Sequence, residues 1–115
     1  MPKSTLSHQA LPTDQADRLI QLGQRIRLAR KRRRITLKAL ASRMFVDEKT
    51  LRRLENGESG VSLGVLVTAL FCFDLENDLD RVADLKTDDL GNVLDRQRYE
   101  GIQRVRAKKD KKLDF

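Results

Sequence analysis

Aromatic side chains are scarce in this 115-residue chain: it has no tryptophan, one tyrosine and four phenylalanines. A core built on large rings is therefore excluded, and the interior has to come from Leu, Val, Ile and Ala, a composition that favours small packed helices. Cysteine is almost absent too. Cys72, the only one, lies in the apolar run VLVTALFCF, so no intramolecular disulfide or multi-cysteine zinc site can form, and a small core residue is expected. His8 is the only histidine; with no thiol or acidic pair at ligand spacing beside it, it is expected as a solvated side chain rather than a metal ligand. There is no run of eighteen apolar residues and no apolar stretch near Met1 long enough for a signal peptide, so a cytoplasmic protein is expected. No nucleophile–base pair, metal constellation or phosphate-cradling loop is visible, and no enzyme activity, cofactor or metal is expected.

What the chain does have is charge, unevenly placed. Residues 1–60 carry 14 basic against 6 acidic side chains, residues 61–95 carry 2 against 8, and residues 96–115 carry 8 against 3. The total is +7. A basic half beside an acidic segment suggests a polyanion-binding face and a differently charged surface for something else. Nucleic acid is the first candidate partner and an anionic membrane the second.

The length suits one domain with tails. Residues 1–15 hold both prolines and no sustained periodicity, which reads as a flexible arm. From Asp17, Leu19, Leu22, Ile26 and Ala29 recur at spacings of three and four, predicting a helix to about Arg33. Thr36 can cap a second helix with Leu37, Leu40, Ala41 and Met44 inward. Asp47 can cap a third, with Val46 outside it, Thr50, Leu51 and Leu54 inward, and Asn56-Gly57 ending the run. Ser62 can cap a fourth, whose Leu63, Leu66, Val67, Leu70 and Phe71 form the most apolar surface of the chain. A fifth is expected over Glu76–Leu85, with Leu79, Val82 and Ala83 on one side. Helices this short must pack on one another, which implies a compact all-α domain over 16–86. Residues 87–115 are expected to form a basic, partly disordered C-terminal extension. The acids from Asp74 to Asp89 lack the glycine and terminal glutamate of a calcium loop; a solvated helix face and a protein-docking surface are the readings left for them.

The second and third helices are separated by about three residues, the spacing of a helix-turn-helix. The stretch TLKALASRMFVDEKTLRRLENGE, followed by SLGVLVTALFCFDL, resembles the XRE-type, phage-repressor-like DNA-binding domain over about residues 20–80. Its markers are Leu40-Ala41, Val46, Leu51, Leu54 and Glu55-Asn56-Gly57, all in register. The resemblance implies a five-helix, lambda-repressor-like helix-turn-helix domain. It also assigns roles. Glu48, Lys49, Thr50 and Arg53 would face base edges, with Arg53 first among them because its planar fork can donate twice to guanine. Glu48 could accept from cytosine or simply suit the positive end of the helix. Thr36, Lys38, Arg52 and Asn56 would hold phosphates. Arg30 and Glu55 would form a structural ion pair. The basic run RLARKRRR, Arg27 to Arg34, reads alone as a solvated helix end; beside a helix-turn-helix it reads as phosphate-binding.

Two positions depart from the pattern, since the family usually has glycine where Arg34 and Phe45 stand. If both are left-handed, the strain is about 1 kcal/mol each. The family usually dimerises on palindromic double-stranded DNA, and Leu79, Val82, Leu90, Val93 and Leu94 are available for a homodimer interface. A compact domain with a short extension is most similar to HipB-type antitoxins, which repress their own operon and bind a HipA-type serine/threonine kinase toxin, in some relatives split into two chains. A free-standing phage-type or housekeeping repressor is the alternative within the class. A charge-driven RNA-binding or nucleoid-coating protein is the alternative outside it. No membrane partner is expected.

Overall fold

Pro12 begins the first helix, accepting backbone hydrogen bonds from Gln15 and Ala16 at 3.0 and 2.9 Å. The computed structural model describes residues 11–113; His8 and most of the arm expected at 1–15 lie outside them. Helix α1 spans Thr13–Arg32, four residues earlier than the apolar periodicity indicates, with Pro12 at its N-cap, where the missing N–H costs no helical bond. Its basic last turn, Arg30, Lys31 and Arg32, suits the negative end of the helix dipole.

Three shorter helices follow, each started by a side-chain cap. Thr36 accepts from the Ala39 amide at 3.1 Å and opens α2, Leu37–Met44. Asp47 accepts from Thr50 at 2.7 Å and opens α3, Glu48–Glu55. Ser62 accepts from Val65 at 3.2 Å and opens α4, Leu63–Cys72. Caps matter here because helices of eight to ten residues leave up to half of their backbone groups without an intrahelical partner. The core is Ile26 of α1, Leu40, Ala41 and Met44 of α2, Leu51 and Leu54 of α3, and Ala69 and Phe73 from α4 and its end. Leu40 and Leu51 are fully buried, pinning α2 to α3.

Helix α4 corrects one expectation. Of the five residues expected to form the most apolar surface of this core helix, Leu70 is buried and Leu66 half-buried, while Leu63, Val67 and Phe71 are exposed. The helix is apolar nearly all round, so periodicity cannot select its inner face. Ala69, with no exposed surface, selects it: a small residue lets α4 approach α2, on which it packs. Cys72 is half-buried against the core.

The fifth α-helix expected over Glu76–Leu85 is replaced by a 3-10 turn at Glu76–Arg81. Ala83 then adopts φ 53°, which a continuing right-handed helix cannot accommodate, and Val82 is exposed rather than packed. Contacts divide the chain after Leu79 into two units. In the second, the extension expected to be partly disordered forms one long helix, α5, Asp89–Leu113. Asp88 caps it by accepting from the Gly91 amide at 3.0 Å, and the Arg, Lys, Gln and Glu that make the stretch look tail-like are also good helix formers. Leu90, Val93, Leu94, Tyr99, Ile102 and Val105 of α5 are all exposed.

Candidate nucleic-acid interface

The turn between α2 and α3 is closed by two backbone bonds, Phe45 to the Ser42 carbonyl at 3.2 Å and Val46 to the Ala41 carbonyl at 3.1 Å. This is a Schellman turn, which requires a left-handed residue, and Phe45 supplies it with φ 57°. Arg34 does the same after α1, with φ 54°. Val46 packs against the core, and Asp47 starts α3. The hydrogen bond from Thr50 holds the Asp47 carboxyl below the ordinary aspartate range, with the charges of Lys49 and Arg53 adding to the effect.

Leu51, Leu54 and Glu55 are the buried residues of α3. The helical period leaves Lys49 and Arg53 on the opposite side with Arg52 at its edge, and sets Glu48, two turns before Glu55, over the inner face at the start of the helix. Glu48, Lys49 and Arg52 are exposed; Thr50 and Arg53 are half-buried. Arg53 Nε lies 3.4 Å from Glu58 Oε1, with the two side chains 40% and 49% exposed, a loose pair worth little. Arg52 stands at the edge of this face beside Glu55, which is what associates it with the flank. There Arg52 and Asn56 line a shallow depression with Arg27, Arg30, Leu37 and Glu55. Thr36, at the mouth of α2, has its hydroxyl oxygen engaged in the cap, and Lys38 stands exposed two residues on.

Arg30 organises that depression without being free to leave it. Its Nε and Nη2 donate to the two carboxylate oxygens of Glu55 at 2.7 and 3.0 Å, and Nη1 donates to the Ile35 carbonyl at 3.0 Å. The carboxylate raises the Arg30 pKa further, against the opposing pull of burial. The pair fixes the C-terminus of α3 to the end of α1. Arg27, one turn earlier on α1, then contributes a cation beside Arg52 and Asn56. The sequence marks it only as one member of the basic run Arg27 to Arg34; its place three residues before Arg30 is the signal that singles it out.

The basic run from Arg27 to Arg34 thus divides by role. Arg33 donates to the carbonyls of Ala29 and Phe73, both at 2.9 Å, with its guanidinium 5.0 Å from the centre of the Phe73 ring. It closes the C-terminal end of α4, satisfying an otherwise orphaned carbonyl. Nothing in the local sequence marks that role, because its partner lies forty residues on. Among the described residues, no cluster of His, Cys, Asp and Glu could hold a metal ion, and no helix is long and apolar enough to cross a membrane.

A family model described as "Helix-turn-helix domain" matches residues 21–82, the span that holds every one of these residues. No curated protein matches the chain, and no solved structure does.

Proposed function

Because the chain belongs to the helix-turn-helix domain family, whose model covers more than half of it, and is on that ground a DNA-binding regulator, we propose that it is a sequence-specific transcriptional repressor acting as a homodimer on a palindromic operator. One observation carries this reading. Helix α3 is anchored by Leu51 and Leu54 and presents Lys49 and Arg53 outward, while Arg27, Arg52 and Asn56 gather at its far end. Lys49 and Arg53 face base edges; Thr50 reaches them from the edge of the core; Thr36, Lys38, Arg52 and Asn56 hold phosphates and set the register. Glu48, at the positive end of α3, either accepts from a cytosine amino group or stabilises the helix.

An eight-residue reading helix covers few base pairs, so a second copy supplies the affinity one copy lacks. The apolar residues of α5 that are left exposed, Leu90, Val93 and Leu94 among them, support a homodimer. In its finer form the reading is a HipB-type antitoxin that represses its own operon and binds a HipA-type serine/threonine kinase toxin, carried on one chain or two.

The test is selection of duplexes from a random pool by the purified full chain. The expected result is a palindrome with half-sites one helical turn apart, bound at least about 10³-fold more tightly than random DNA. Equal binding to all sequences would make the protein a charge-driven nucleic-acid coat instead. Co-purification with the kinase encoded beside it separates the antitoxin from a free-standing repressor.

A further inference from the structure

Phe45 is 96% exposed, more than any other large apolar side chain among the described residues. A single exposed apolar residue is ordinary, but two further facts set this one apart. Its backbone is left-handed, φ 57° and ψ 38°, in a turn that glycine or asparagine closes at least cost. Neither the turn nor water favours a phenyl ring there. The second fact is its place. Phe45 precedes the cap of α3 by two residues, so its Cα lies within about 7 Å of the Asp47 Cα, and Val46 between them faces the core. The ring therefore stands on the solvent side of the end of α3 that enters a groove in the reading above.

On the strength of that reading, we propose that Phe45 is a DNA-contacting residue whose ring packs on the C5 methyl of a thymine at the edge of the major groove. It sets a preference for thymine at one position of each half-site. The thymine methyl is the apolar feature of the major-groove edge, and phenylalanine is among the side chains that meet it. The ring has no hydrogen-bonding atom with which to read anything else. A protein partner would be expected to meet an aromatic anchor within an apolar patch. Here Arg43, Asp47, Glu48 and Lys49 surround it in the chain, all exposed.

The experiment begins with the operator selected by the wild-type full chain. Its affinity is then measured for wild type, Phe45→Asn and Phe45→Leu, with each half-site thymine replaced in turn by deoxyuridine, which removes only the methyl. Asparagine accepts the left-handed turn without a ring; leucine keeps an apolar side chain. At one thymine the wild type should lose about fourfold per half-site, the effect of one methyl no longer buried. Phe45→Asn should show that loss already on the thymine operator and none further with deoxyuridine, and Phe45→Leu should retain part of the preference. Random-duplex affinity and melting temperature should not fall in either variant.

Equal operator affinity for Phe45→Asn and wild type would overturn the proposal, as would equal loss on operator and random DNA. A changed solution mass of Phe45→Asn with unchanged operator affinity would give the ring to a protein contact and overturn it as well. A wild type without sequence preference would remove the DNA-reading premise and this proposal with it, and that outcome is seen before any variant is made.

Discussion

Gly23 and Gly57 bring α1 and the end of α3 together through bare backbone. A Cβ on Gly23 would lie 2.5 Å from the Glu55 carbonyl oxygen and 2.7 Å from the Gly57 nitrogen, and one on Gly57 would lie 2.5 Å from the Leu19 oxygen. The two helices thus meet closely at the point where Glu55 reaches Arg30, and the pose of the reading helix depends on this contact. Gly23→Ala should lower stability even though alanine is favoured over glycine in a helix by about 1 kcal/mol. Overpacking against backbone costs roughly 1–3 kcal/mol. Thermal unfolding of the variant should show a melting temperature lower by several degrees; an increase would mean that the helices separate freely.

The Arg30–Glu55 pair makes a second prediction. Glu55 is buried, and the Arg30 side chain is 11% exposed. Arg30→Ala strands a carboxylate away from water and should destabilise by about 3–5 kcal/mol. Arg30→Lys should recover only part, since an ammonium cannot make the two parallel bonds of a guanidinium. The double variant Arg30→Met with Glu55→Met should regain most of the loss, because no charge is left buried. Urea unfolding of the four proteins tests all three statements, and a double variant no better than Arg30→Ala would show that the pair contributes more than mutual neutralisation.

Asp47 gives the pH dependence. Its folded-state pKa lies below the ordinary value of 3.8 because its carboxylate is hydrogen-bonded by Thr50, foremost by the side chain and then by the backbone amide. A lowered folded pKa means that this contribution is present in full above 3.8 and is lost as pH falls through the lower folded value. Urea midpoints measured across the acid range should therefore decline less steeply for Asp47→Asn, which keeps an acceptor but does not titrate. An unchanged acid slope would place the pH dependence elsewhere.

The α2–turn–α3 unit was legible because each of its signals is local: a capping side chain, an apolar residue at three or four spacing, an Asn-Gly stop. Thr36, Asp47 and Ser62 all cap as their positions indicate. Where several solutions satisfied the same pattern, the sequence was silent. Leu63, Val67 and Phe71 repeat as regularly as the residues α4 buries, and only packing at Ala69 distinguishes them. From residue 87, two glycines, a weak apolar pattern and a basic end point to a partly ordered extension, although the helix propensity of the stretch is equally visible. Arg33 with Phe73, and Gly23 with Gly57, are relationships between distant segments, which no local pattern contains.

Arg34 offers a test of the turns. Held at φ 54° after α1, it carries strain of about 1 kcal/mol that glycine would not. Arg34→Gly should raise the melting temperature, offset in part by the greater freedom of glycine in the unfolded chain. A fall would mean that the arginine side chain contributes more than its backbone strain costs.

The division of α3 and its flank into reading and holding residues predicts two distinct patterns of loss. Arg53→Ala removes a fork that can bond guanine twice, so it should cost about 1–3 kcal/mol on the operator and much less on random DNA. The loose contact with Glu58, 3.4 Å at an exposed site, leaves the guanidinium able to swing onto a base, and Glu58→Gln should therefore change operator affinity little. Arg52→Ala and Lys38→Ala should weaken binding to every sequence alike and reduce the slope of log affinity against log salt by about one each. Titration of operator and random duplexes at several salt concentrations separates the two classes. Equal losses for Arg53→Ala on both duplexes would move that residue to the phosphates, and an unchanged salt slope for Arg52→Ala would move that one to the bases, at the edge of the face that holds Lys49.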